Sequence, residues 1–175
     1  MSDDLFAGLL DVPPALVPAP EREAHGQRWI EFCRFEVLGT PKAQPRVRAF
    51  AQRIGNGYQA RVFDPGTAED WKSQVAIASR THRPPAPLAG PVRVDVDLFF
   101  PRPKAMMRKS DPEGPVAHIA KPDRDNCEKA ILDALKILGF FVDDSRVCAG
   151  EVRKYYHSKS GRPGAFIIIS TLKKG

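Results

Sequence analysis

Apolar and polar residues alternate most cleanly between Pro91 and Phe100. Val92, Val94, Val96, Leu98 and Phe100 take one side, and Arg93, Asp95, Asp97 and Phe99 take the other. A two-residue period is that of a strand, so the pattern predicts one over 91–100, with Asp95 and Asp97 on a solvated face. A second stretch has a helical period. Ala130, Ile131, Ala134, Leu135 and Leu138 form one stripe and Gly139 suits a C-terminal stop, which predicts a helix capped at its start by Asp125, with Glu128 at the capping-box position. Trp71, Val75 and Ala78 repeat helical spacing and predict a helix over 68–80 that packs into the core. Thr67, followed three residues later by Asp70 in place of the usual Glu or Gln, resembles a capping box at its start.

Other apolar-rich runs complete the outline. Trp29 to Leu38 reads as the first strand, and Val47–Ile54 with Tyr58–Phe63 reads as a hairpin around the turn signal Gly55-Asn56-Gly57. Phe140-Phe141-Val142 reads as a short buried run, and the last two strands are expected over 147–156 and 165–172. Between them, 101–120 is a long loop with Met106 and Met107, expected to be flexible and to face substrate. The fold class is therefore α/β (α+β): a single compact domain with a mixed β-sheet and two main helices, over residues 28–175. Prolines cluster near the start and again at Pro84, Pro85, Pro87 and Pro91, where they look linker-like.

Composition adds a direction. The chain has 175 residues and a formal charge of +6, unevenly spread. Residues 1–27 carry five acids and one basic residue, a net of −4, and are expected to be a flexible acidic Pro-containing tail, with Asp4 to Leu10 as a possible contact for a protein partner. The remainder carries a net of +10. No apolar run is long enough to span a bilayer, and Asp3 and Asp4 precede the only short apolar stretch at the start, so no membrane is expected and the cytoplasm is the expected location. Cys33, Cys127 and Cys148 form no CxxC pair and suggest neither a disulfide framework nor a zinc knuckle.

From Val37 to Phe63 there is no acid, while Lys42, Arg46, Arg48, Arg53 and Arg61 are all basic. A basic hairpin with interleaved aromatics suits a nucleic-acid backbone; a solvated basic face is the plainer alternative. Lys104, Arg108 and Lys109 on the long loop extend the same expectation. Acids are gathered elsewhere, at Asp123, Asp125 and Glu128 and again at Asp143 and Asp144, on either side of the second helix. Carboxylates suit a hard cation such as magnesium, which takes oxygen ligands and keeps several waters. Lys129, one helical turn beyond Asp125, can place its ammonium near whatever Asp125 binds, and Asn126 can fix a carboxylate or a water. The chemistry this set suggests is metal-assisted cutting of a phosphodiester. The same residues also allow a plainer account: Asp125 and Glu128 as a cap, Lys129 with Asp133 as a surface pair, and Asp143-Asp144 as a turn.

The run Lys121-Pro-Asp-Arg-Asp-Asn-Cys-Glu-Lys-Ala-Ile-Leu-Asp-Ala-Leu-Lys, followed by Gly139-Phe-Phe-Val-Asp-Asp-Ser-Arg-Val, resembles the signature of the RusA family of Holliday-junction resolvases (crossover junction endodeoxyribonucleases). The family pattern of D-x-D-N-x-x-K, a helix with D-A-L, and a G-hydrophobic-x-x-D-D turn is present in order and spacing over 121–147. The resemblance implies metal ligands at Asp123, Asp125 and Asp144, an essential Lys129, and a supporting role for Asp143. It also implies a small homodimer that resolves four-way DNA junctions with Mg2+, Mn2+ substituting, in a bacterial cell or encoded by a phage or prophage. A related nuclease acting on flaps or other branched DNA, and a non-catalytic DNA-binding module, are the alternatives. Residues 1–27 have no counterpart in the compact family form.

Overall fold

The computed structural model describes residues 23–24, 27–45, 48–55, 57–63 and 66–172. The expected tail, residues 1–27, lies outside the described residues except for Glu23, Ala24 and Gln27, and so does Arg46. The strands in chain order are β1 (Glu23–Ala24), β2 (Gln27–Leu38), β3 (Arg48–Ile54), β4 (Gly57–Phe63), β5 (Val92–Phe100), β6 (Val116–Ala117), β7 (Val147–Ala149), β8 (Val152–Tyr156) and β9 (Gly164–Leu172). The helices are α1 (Glu69–Ser79) and α2 (Arg124–Ile137).

One seven-stranded sheet carries the domain, in the order β1-β2-β9-β5-β8-β6, with β7 also beside β5. It is mixed, as expected. β2, β9 and β5 run antiparallel in turn, whereas β5 pairs in parallel with β7 and β8. Parallel neighbours require a crossover, and α2 lies in the segment that makes it. β3 and β4 form a separate two-stranded sheet closed by a two-residue turn, Ile54 opposite Gly57.

The two helices pack on one face of the main sheet. Trp71 and Val75 of α1 and Cys127, Ala130, Ile131, Ala134 and Leu135 of α2 share a core with Val37, Val94, Val96, Leu98, Val152, Ile167 and Ile169. The helical stripes read from the sequence are thus the buried faces, each large side chain contributing about 1.5–3 kcal/mol. α2 ends in a Schellman arrangement. Gly139 sits at φ 75°, its N–H bonds the carbonyl of Lys136 at 2.8 Å, and the Phe140 N–H bonds that of Leu135 at 3.0 Å.

Several expectations change. Asp95 and Asp97 are not solvated: they are 3% and 1% exposed. The sheet's second face carries its own apolar cluster of Phe99, Phe166 and Ile168 with Tyr155 packed on it, so β5 is buried on both sides. Each aspartate is held instead by arginine, Asp95 by Arg93 at 2.7 Å through both oxygens and Asp97 by Arg153 at 2.6 and 3.1 Å. The strand expected over 147–156 is interrupted at Gly150 (φ 151°), where a Cβ would lie 1.9 Å from the Val94 carbonyl oxygen. Ala68, not Thr67, is the residue at the N-cap of α1, and it makes no side-chain capping bond.

The long loop is tied down. Arg102, 8% exposed, donates to the carbonyls of Met106, Pro112 and Gly114 at 2.8–3.1 Å, and Val116–Ala117 joins the sheet beside β8. The proline-rich stretch is anchored too. The Leu88 N–H bonds the Phe140 carbonyl at 2.8 Å, and Leu88 bridges Phe141. Phe140 and Phe141 are buried as expected, but Val142 is 62% exposed.

Candidate active site

α2 begins immediately after the segment that Pro122 keeps out of helix. Asp123 is the N-cap, with extended backbone at φ −68° and ψ 144°, and its carbonyl accepts the first helical bond from the Cys127 N–H at 3.2 Å. Its carboxylate makes no capping bond. The helix therefore starts earlier than the sequence suggested. Asp125 lies in the first turn rather than at the cap, and the capping-box position falls on Asn126 rather than Glu128. The extended approach ends at Asp123, so Asp125 is placed by the first turn of the helix. Negative charge here is favoured by the partial positive end of the helix.

Among the described residues, neither the Asp123 nor the Asp125 carboxylate has a hydrogen-bond or ion-pair partner, and both residues are exposed. Two exposed carboxylates with free oxygens at a helix start suit a hard divalent cation that keeps part of its water. Glu128, one turn further and half-buried, has its carboxyl raised by burial, partly offset by the Arg124 guanidinium. A cavity of about 290 Å³ opens beside it, lined by Arg124, Glu128, Gly150, Glu151, Val152 and Arg153.

Asp143 and Asp144 lie beyond the other end of α2. Asp143 accepts from the Ser145 N–H at 3.0 Å, opening the short turn 144–146. Lys136, in the last turn of α2, bonds Asp143 at 2.6 Å and stands 3.7 Å from Asp144. This ammonium holds the Asp143 carboxyl well below the usual carboxylate range. α2 is about 21 Å long at 1.5 Å per residue. The structure therefore places Asp143 and Asp144 together at Lys136, a helix length from Asp123 and Asp125, and no three His, Cys, Asp or Glu side chains among the described residues form a ready ligand group. Lys129 stays on the exposed side of α2, 3.7 Å from Asp133.

The basic positions divide. Lys42 is exposed and 3.5 Å from Asp70. It lies two residues before Gln44, whose N–H bonds the Asn126 carbonyl at 2.8 Å, so the basic segment is fastened to the first turn of α2. Arg48 and Arg61 lie in the hairpin strands, and Arg53, near the turn, is exposed. Lys104, Arg108 and Lys109 are exposed on the loop after β5. His157 accepts from the Arg102 N–H at 3.3 Å, and its Nδ1 meets the Ser158 carbonyl at 2.6 Å. His118 is buried against Phe100 and Tyr156.

Sequence reasoning missed Lys154. From β8 its ammonium donates to the carbonyls of Ala120 and Pro122 at 2.7 and 2.6 Å, just before Asp123. The signal was its register with Val152 and Tyr156, which face the core. Arg153 was also missed, because its partner Asp97 lies 56 residues earlier, and with it Glu151, which stands 3.7 Å from that guanidinium.

The sequence model of a family described as Endodeoxyribonuclease RusA matches residues 38–170. A protein of Bacillus subtilis (strain 168), described as uncharacterized protein YqaN, is 35% identical over 132 residues, spanning 73% of this chain and 89% of the relative. The family match takes in the hairpin, both helices and both acid pairs.

Proposed function

The chain belongs to the RusA family of endodeoxyribonucleases, the Holliday-junction resolvases, and we propose that it nicks opposing strands of a four-way DNA junction using Mg2+, or Mn2+ in its place. The observation that carries this reading is the acid motif of that family at the start of α2, with the Asp123 and Asp125 carboxylates exposed and their oxygens uncommitted. Asp123 and Asp125 would hold the ion, and Asp144, which lies beyond the far end of α2 in this structure, would have to approach them to complete the set. Lys136 engages Asp144 only at 3.7 Å, a separation that a stronger partner readily displaces. When bound, the ion supplies a water of lowered pKa and offsets the charge that builds on the attacked phosphate.

The chain's own residues do the rest. Lys129 holds a non-bridging phosphate oxygen. Its exposed contact with Asp133 at 3.7 Å is worth only a few tenths of a kcal/mol, so little is lost when it turns to DNA. Lys42, Arg46, Arg48, Arg53 and Arg61 take the backbone of one arm, and Lys104, Arg108 and Lys109 approach from the loop after β5. Asn126, whose carbonyl anchors Gln44, couples that basic segment to the acid site. Asp143, held by Lys136, positions Asp144. A junction is close to two-fold symmetric, so two copies of the chain related by a two-fold axis present two equivalent sites.

Asp125→Asn tests this directly. Binding of a labelled four-way junction should persist while cleavage is lost, because the substitution removes a ligand and leaves the basic surface intact. Full cleavage by that variant in magnesium would remove Asp125 from the site. Equal cleavage of flaps and four-way junctions by the wild type would move the substrate to branched DNA in general.

A further inference from the structure

β8 carries a lysine where its register calls for an apolar residue. Val152 and Tyr156 lie opposite Val96 and Phe100 and pack into the helix-side core, and the two-residue period of the strand puts Lys154, opposite Leu98, on the same side. An ammonium on that side needs acceptors. It finds two main-chain carbonyls, Ala120 at 2.7 Å and Pro122 at 2.6 Å, and no carboxylate among the described residues. Its own carbonyl accepts from the His118 N–H at 3.0 Å. One residue therefore grips 118–122 at three points. The His118 ring, stacked 4.2 Å from Phe100 and tilted 4.5 Å from Tyr156, fixes the start of the same stretch. The next residue is Asp123.

We propose that Lys154 is a positioning residue of the acid site, clamping 120–122 so that Asp123 stands where it can share a divalent cation with Asp125. This rests on the reading of Asp123 and Asp125 as ligands. The lysine bonds the residue immediately before Asp123, so it lies close enough to act on the site in two ways of opposite sign. As a positive charge it repels a dication, so its removal would tighten binding. As a clamp it holds a ligand in place, so its removal would loosen binding. The two short charge-assisted hydrogen bonds to the backbone make the clamp the larger effect.

The test is a Mn2+ titration of the full chain without DNA, followed by electron paramagnetic resonance, for the wild type, Lys154→Met and Lys154→Arg. Methionine removes charge and donors and should weaken Mn2+ binding by about tenfold or more, as loss of groups that orient metal ligands does. Arginine keeps both features and should bind close to wild type. Binding by Lys154→Met that is equal to or tighter than wild type would overturn the clamp. If Lys154→Met does not fold, Lys154→Gln is read in its place. It keeps one donor without charge, so weaker binding than the arginine variant supports the clamp and tighter binding than wild type contradicts it. A wild-type chain that binds no Mn2+ overturns the metal reading and this inference with it. Wild-type binding matched by the methionine variant overturns only the role of Lys154.

Discussion

Replacing Asp97 asks whether burial or its arginine governs the charges on the sheet's second face. Asp97 is 1% exposed and receives Arg153 at 2.6 and 3.1 Å. Burial outweighs that guanidinium and pushes the carboxyl up to about 6 from an ordinary 3.8. A carboxyl whose folded pKa is raised contributes stability that is full below its unfolded value and is lost as pH rises through the folded one. The window is therefore about pH 4 to 6. A shift of about two units corresponds to about 3 kcal/mol. Asparagine does not titrate. The stability of wild type relative to Asp97→Asn should fall by up to about 3 kcal/mol over that window, at about 2–4 °C in Tm per kcal/mol for a chain of this size. Asp97→Ala differs, since it takes both acceptors from Arg153 in a buried setting, and should cost about 3–5 kcal/mol throughout. Urea denaturation of the three proteins across the pH range reads both effects. If wild type instead gains on Asp97→Asn as pH rises, the ion pair outweighs burial and the reasoning fails.

Other expectations follow from single residues. Gly150→Ala places a Cβ 1.9 Å from the Val94 carbonyl oxygen, a backbone atom that cannot move aside cheaply, so chemical denaturation should show a loss on the order of 3 kcal/mol or more. Lys136→Met removes the partner that holds Asp143 below the carboxylate range, and carboxyl NMR titration should find Asp143 returned upward; an unmoved titration would rule out Lys136 as the cause. Lys129→Ala should lower the cleavage rate strongly with little loss of junction binding, measured by single-turnover kinetics beside gel shift. Removing Lys42 and Arg53 together should weaken junction binding and flatten its dependence on salt, by about one unit of slope for each phosphate no longer neutralised.

Much of the fold was legible because it is written in local periods. The stripe of α2 and the alternation of β5 each specify an element and its helix-side face without reference to anything distant. The same alternation misled for Asp95 and Asp97, since a strand's second face is solvated only if nothing covers it. Phe99, on their side of the strand, was the clue that something does. The break at Gly150 came from a close approach by β5, and the grip of Lys154 on 120–122 from a strand more than thirty residues downstream; neither leaves a local trace. At the site, the acids and Lys129 were legible as a motif, and the start of α2 was off by the distance between two aspartates that can each cap a helix. The placement of Asp143 and Asp144 beside Lys136 depends on how the chain turns after Gly139, which the apolar pattern does not determine.

The most direct measurement is incubation of the purified chain with a synthetic four-way junction, each strand labelled in turn, in magnesium, in manganese and in chelator. Paired nicks at symmetric positions on opposing strands are predicted with either metal, and none in chelator. Absence of cleavage with both metals, or cleavage that persists in chelator, would contradict a metal-dependent junction resolvase.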